Sequence, residues 1–260
     1  MDSSAGHVDH VNEDFVGATP GAIVVVDGAG IRGTEDLCRH GVAWYARSLG
    51  TDLLDRLRRD PAAVLSDALG DAIEAVTATH RGTCSVTDPS SPQASIAVLR
   101  LAGNRADYLV LGDCYVIAES APPVVITDAR EVSVRESATL SLKHLAPGTP
   151  EHDRELHRAI EELRAQRNRP GGYWIAKDDP AAAHESIVGD IDLESVACLA
   201  VLSNGAARLV DAYRVVDWSG LFDMLHAGGP ANALHRLRKT ESHNAATPDD
   251  ATIAFLHVGH

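Results

Sequence analysis

A chain of 260 residues with 45% hydrophobic residues can bury a sizeable core, and with 4% aromatics that core must be built mainly of Val, Leu, Ile and Ala. The formal net charge of −14 argues against nucleic acid as a partner, because phosphate backbones are held by clustered Lys and Arg. No apolar run approaches the ~18 residues of a membrane helix, and residues 1–14 lack a basic-then-apolar signal pattern. A cytoplasmic chain with no membrane partner is expected.

Residues 1–11 read as a mobile lead into the acidic stretch Asn12-Glu13-Asp14. A strand begins at Phe15, and a turn over 17–21 leads to Ala22-Ile23-Val24-Val25-Val26, a largely β-branched run that reads as a buried strand. Asp27 ends that strand, and Gly28 and Gly30 allow a tight turn and a close backbone approach. Thr34 or Asp36 would cap a helix reaching to about residue 49, continued over 52–59. Pro61 would open a second helix, with Leu65, Leu69, Ala72, Ile73 and Val76 at helical spacing. After a polar loop over 81–93, strands are expected at 94–101, 108–111, 115–118 and 124–127. Residues 140–148 look irregular, and 150–167 form a charged helix. Short strands follow at 173–176 and 196–202, with a helix or loop at 178–186 between them. Helical stretches at 206–225 and 230–243 precede a last strand at 251–258. Meandering strands followed by helices give an α+β fold, with helices outside stacked antiparallel sheets.

The thirteen histidines and four cysteines offer weaker signals. His7 and His10 lie near the acidic Asn12-Glu13-Asp14 stretch but read mainly as a solvated terminus. His40 and His80 read as packed structural residues. Cys38, Cys84, Cys114 and Cys198 are scattered without zinc-type spacing and read as free thiols. No Gly-x-Ser-x-Gly elbow is present, and no cysteine starts a tyrosine-phosphatase loop. Gly28, Gly30 and Gly33 match a dinucleotide spacing, but a helix rather than a second strand is expected to follow.

The strongest signal is a set of acidic or amide-bearing stretches at strand edges: Asn12-Glu13-Asp14, Asp27-Gly28, Gly112-Asp113, Ser203-Asn204-Gly205 and Asp249-Asp250. Converging carboxylates repel unless cations neutralise them. Oxygen-only ligands select hard ions such as magnesium or manganese. Two such ions sharing a water lower its pKa and clamp a phosphoryl group.

In that order, Asn-Glu-Asp, Val-Asp-Gly-x-Gly, Leu-Gly-Asp, Leu-Ser-Asn-Gly and Asp-Asp-Ala-Thr, the chain resembles the metal-dependent type 2C (PPM-type) Ser/Thr protein phosphatases from Asn12 to Val258. The resemblance implies a single PPM-type domain, a four-layer α-β-β-α sandwich of two antiparallel sheets flanked by helix pairs. It also implies two Mn2+ or Mg2+ ions, with a third in some members. Asp27 would bridge both metals and Gly28 would offer its carbonyl. Glu13 and Asp14 would serve one metal, Asp249 the other, and Asp113 the third. Asp27 and Asp249 would be the catalytic pair. Asn204 stands where the family has a metal-binding Asp, Asp9 where it has a phosphate-binding Arg, and Ala29 where some members have a proton-donating His. Residues 133–189 correspond to the family's variable flap, where Arg167, Arg169, Tyr173 and Lys177 are candidates to touch substrate. The implied activity is hydrolysis of phosphoserine or phosphothreonine by metal-activated water. Two alternatives stay open: Asn204 and Asp9 suggest a pseudophosphatase that binds a phosphorylated protein as a regulator, and the missing Arg with the unusual flap region suggests a phosphatase for a small phosphate ester.

Overall fold

The computed structural model describes residues 1–7, 9–30 and 36–259. Thr34, one of the two expected caps, lies outside the described residues, as do Gly33 of the glycine spacing and His260. One antiparallel sheet has the order β2 (Phe15–Thr19), β3 (Ala22–Ala29), β4 (Gln93–Ala102), β5 (Arg105–Leu111) and β8 (Ile187–Asp192). The other has the order β1 (Asp2–Ser4), β10 (Ala251–His257), β9 (Cys198–Leu202), β6 (Tyr115–Ala118) and β7 (Val124–Thr127).

Strict alternation along these strands builds three apolar layers. In β3, Val24 and Val26 pack under α1 (Val42–Arg59) and α2 (Leu65–His80), while Val25 faces the space between the sheets. In β4 the same division holds for Ile96 and Val98 against Ala97 and Leu99. On the other sheet Ala200 and Leu202 of β9 pack under α6 (Trp218–His243), while Leu199 and Val201 face inward. Both faces of each sheet are therefore covered, which is why the strands read as continuous apolar runs rather than as alternating ones. Full burial of each Val or Leu contributes about 1.5–3 kcal/mol. The result is the expected four-layer α-β-β-α sandwich.

Local chemistry moved several boundaries. Asp2–Ser4 is not part of a mobile lead: it pairs with Ala251–Ile253 as the edge strand β1, and Asn12 Nδ2 donates to Ser3 Oγ at 2.8 Å. The turn between β2 and β3 tightens to Pro20-Gly21, since Thr19 pairs with Ala22. Helix α1 starts at Val42 rather than near residue 36, because Gly41 precedes it at φ 77°. It runs unbroken past Gly50, whose bare backbone seats the Phe15 ring. Pro61 does not open α2, which begins at Leu65. Helix α6 joins the expected 230–243 helix to the preceding one, with the kink confined to Gly229 at φ 69° before Pro230. Besides β1, two further elements were unforeseen, α3 (Arg130–Ala138) and the edge strand β8. Helix α4 (Pro150–Ala165) follows its expected span, with the Thr149 hydroxyl accepting from the His152 N–H at its start. Among the described residues no helix is long and apolar enough to cross a membrane.

Candidate metal centre

Strand register carries the acidic stretches to one end of the sandwich. Phe15 pairs with Val26, so the chain just before Phe15 brings Asp14 alongside Asp27 and Glu13 alongside Gly28. The Glu13 carbonyl is pressed so closely on Gly28 that a Cβ there would collide with it. β3 continues through Asp27 to Ala29, so Asp27 is held inside a paired strand, opposite Ser95. Asp27 shares the inward parity of Val25 and points between the sheets.

Asp113 arrives from the connection between the two sheets. β5 ends at Leu111, Gly112 turns at φ 77° against Ser95, and β6 begins in the opposite sheet at Tyr115. The Ser95 hydroxyl donates to Asp113 Oδ1 at 2.8 Å. The Ser203-Asn204-Gly205 stretch follows β9. Its Asn204 begins the short helix α5 (Asn204–Ala207), and its backbone N–H donates to Asp27 Oδ2 at 2.9 Å. The Asn204 side-chain amide donates to Asp113 Oδ2 at 2.8 Å. Asn204-Gly205 is thus no independent surface turn: it links two of the carboxylates, and a Cβ on Gly205 would strike the Asp250 carbonyl.

Asp249 and Asp250 enter just before β10, and the two adjacent acids divide the work. Asp250 accepts from the Gly6 N–H at 2.7 Å and the Glu13 N–H at 2.6 Å, tying the N-terminal segment to the start of β10. Asp249 is left 62% exposed, with Arg208 Nη1 4.0 Å from its carboxylate. The Thr252 hydroxyl donates to Asp14 Oδ2 at 2.7 Å, while Asp14 Oδ1 is buried without a hydrogen-bond partner.

Electrostatics follows from this crowding. Burial, and secondarily the nearby Asp250 and Asp249, push the Asp14 carboxyl up to about 7. Burial raises Asp27 well above the ordinary carboxylate range, and the charges of Asp14, Asp113 and Asp249 add to the effect. Partial desolvation at the cleft wall raises Asp249 despite its exposure to solvent; Arg208 partly offsets this, while the charges of Asp250 and Asp113 add to it. Glu131 of α3 belongs to the same field: burial, then Asp113, pushes it up to about 7.

A cleft of about 540 Å3 opens beside Glu13, Asp249 and Asp250, with His7, His10 and Gly41 in its lining. His7 and His10 are therefore cleft residues as well as exposed ones, their rings edge to face at 5.6 Å. The flap candidates fare differently. Lys177 is buried and donates to Asp178 at 2.8 Å and to the Val86 carbonyl, so it is not available to a substrate. Tyr173 is buried and its hydroxyl accepts from Arg167, which also donates to the Pro89 carbonyl at 2.6 Å. Arg169 is exposed.

Glu131, Ser95, Thr252 and Arg208 are site residues that the sequence reading did not single out. Thr252 alone had a usable signal, as the last residue of the Asp-Asp-Ala-Thr stretch.

By sequence, neither a protein-family model nor a curated protein matches this chain. Solved structures do. The Mycobacterium tuberculosis serine/threonine phosphatase PstP/Ppp is 16% identical with a TM-score of 0.61, the match covering 100% of this chain and 97% of that one. The catalytic domain of PstP in complex with two manganese ions is 17% identical with a TM-score of 0.62, covering 100% and 96%. The serine/threonine phosphatase Stp1 from Staphylococcus aureus is 12% identical with a TM-score of 0.65, covering 100% and 94%. Over its whole length, this chain has the fold of these serine/threonine phosphatases.

Proposed function

We propose that the chain is a divalent-metal-dependent phosphatase that hydrolyses phosphoserine or phosphothreonine in proteins, with its metals held by Asp14, Asp27, Gly28, Asp249 and, at the margin, Glu13, Asp113 and Asn204. The observation that carries this reading is the convergence at Asp27. Its carboxyl is driven far upward by burial beside three further acids, and Asp14 adds a buried oxygen with no partner. An all-oxygen donor set of this kind fits manganese or magnesium, and the same fold in PstP is found with two manganese ions. When bound, such ions supply charge neutralisation and activation of water toward a phosphoryl group. A third ion near Asp113 and Glu131 fits the same donor chemistry.

The chain's own residues prepare that function. Thr252 orients Asp14, the Asn204 N–H fixes Asp27, and Ser95 fixes Asp113. Asp250 locks the segment that carries Glu13. His7 and His10 line the cleft that has Asp9 nearby instead of a phosphate-binding Arg, and they supply nitrogen donors for a phosphoryl oxygen. Residues 133–189, beyond the centre, serve as the flap that shapes substrate access. The location consistent with such substrates is the cytoplasm.

The test is hydrolysis of p-nitrophenyl phosphate over a manganese titration, for wild type, Asp27→Ala and Asn204→Asp. Manganese-dependent turnover that disappears in Asp27→Ala supports the reading. Turnover by Asn204→Asp alone would replace it with a regulatory pseudophosphatase. A preference for small phosphate esters over phosphopeptides by orders of magnitude would move the substrate to a metabolite.

A further inference from the structure

Four soft donors meet outside the acidic cluster. Cys38 and His40 lie in the turn segment before α1, His80 ends α2, and Cys84 follows one turn later. Their ligating atoms all lie within 4.8 Å of one another. Cys38 Sγ stands 3.6 Å from His80 Nδ1 and 3.9 Å from His40 Nδ1, and Cys84 Sγ stands 3.3 Å from His40 Nδ1. A tetrahedral ion bonded at ~2.3 Å to sulfur and ~2.05 Å to nitrogen sets sulfur and nitrogen about 3.5 Å apart. The three measured edges straddle that value.

The surroundings are those of a built site. Cys38 and His80 are buried, and His40 and Cys84 are half-buried. The His40 ring stacks on Trp44 at 4.4 Å, and the His80 ring lies 5.1 Å from the same indole, so both imidazoles are held in place. The backbone is fixed as well: the Cys84 N–H donates to the His80 carbonyl at 2.9 Å, and the Ser85 N–H donates to the Leu37 carbonyl at 2.8 Å. Both histidines turn Nδ1 toward the thiols. Two thiols and two imidazoles on one point are the donor set of a closed structural zinc site, and thiolates discriminate against the hard ions suited to the acidic cluster.

We propose that Cys38, His40, His80 and Cys84 bind one zinc ion. The ion would clamp the segment before α1 onto the end of α2. That segment contributes Cys38 and Gly41 to the wall of the cleft that Glu13 and Asp249 line, so zinc would fix the cleft's shape. Cys38-x-His40 and His80-x-x-x-Cys84 are the sequence traces of the site, too widely separated to read as one motif. The claim does not depend on the phosphatase reading.

The test is metal analysis of the full chain purified under reducing conditions and exposed to zinc, then desalted. Wild type is expected to retain one more equivalent of zinc than the Cys38→Ser/Cys84→Ser variant. Its cobalt-substituted form should show tetrahedral ligand-field bands and thiolate-to-cobalt charge transfer, both absent in the variant. Cys198→Ser is the control, because Cys198, His226 and His257 form a more exposed trio elsewhere; it should keep the full difference. Should the double variant not fold, alkylation of wild type gives the answer: zinc should protect Cys38 and Cys84, and chelation should expose them. Equal zinc in wild type and variant, no thiolate band, or alkylation of both cysteines indifferent to zinc would overturn the proposal. So would a Cys38–Cys84 disulfide that survives reductant and blocks zinc uptake.

Discussion

Asn204→Asp restores a carboxylate in the middle of the acidic centre, and its consequence should change sign with metal. The Asn204 amide donates to Asp113 Oδ2 at 2.8 Å. The substitution removes a hydrogen bond to a charged group, worth about 1.5–3 kcal/mol. It also sets two carboxylates face to face; at ~4 Å and an effective dielectric of ~20 they repel by about 4 kcal/mol. Side-chain rotation and retention of one proton relieve part of that, leaving a metal-free destabilisation of about 2–4 kcal/mol. For a chain of this size, at ~2–4 °C per kcal/mol, Tm in EDTA should fall by roughly 5–15 °C. With manganese the added charge becomes an added ligand, so the variant should saturate at lower manganese and gain more in Tm than wild type. Thermal unfolding in EDTA and across a manganese series measures both effects. A variant as stable as wild type in EDTA, or one whose manganese midpoint is unchanged or higher, would refute the reasoning.

Other perturbations probe the same centre from different sides. Gly28→Ala drives a Cβ into the Glu13 carbonyl and to 2.8 Å from Val42; a loss of about 1–3 kcal/mol and weaker manganese binding are expected, read by chemical unfolding and calorimetry. Thr252→Val keeps the shape but deletes the hydroxyl on Asp14, and should cost about 1–2 kcal/mol and raise the manganese requirement without unfolding the chain. Because the folded carboxyls of Asp14 and Asp27 sit above their unfolded values, their contribution to metal-free stability is full below pH 3.8 and is lost as pH rises above it, for Asp14 by about pH 7. His80 works in the opposite sense: its lowered pKa removes stability as pH falls through 6.5. Tm in EDTA should therefore decline as pH rises from about 4 to 7, with His80 offsetting part of the loss up to 6.5, and manganese should flatten that decline.

The strands of the sandwich were legible because each inner strand is buried on both faces. Val24, Val25 and Val26 fill two different layers, and a continuous β-branched run is the trace this leaves in sequence. The acidic centre was legible because its carboxylates stand at strand edges, where register alone brings them together. What register could not show is which acid does what. Asp249 and Asp250 are indistinguishable as a pair, yet Asp250 is spent on the Gly6 and Glu13 backbones. Lys177, offered as a substrate contact, is buried by packing that local sequence does not encode. The Cys38, His40, His80 and Cys84 group was missed because α1 and α2 separate its halves, and only their antiparallel packing closes the gap. Gly41 moved the start of α1 because its positive φ breaks the helix a capping signal at Asp36 would have begun.

The most direct test of the central claim is phosphate release from a phosphothreonine peptide by chain stripped with EDTA, before and after manganese is restored, in wild type and Asp27→Ala. Release that returns with manganese in wild type and stays absent in Asp27→Ala is the expected result. Release that survives EDTA, or persists undiminished in Asp27→Ala, would contradict a metal-dependent phosphatase centred on Asp27.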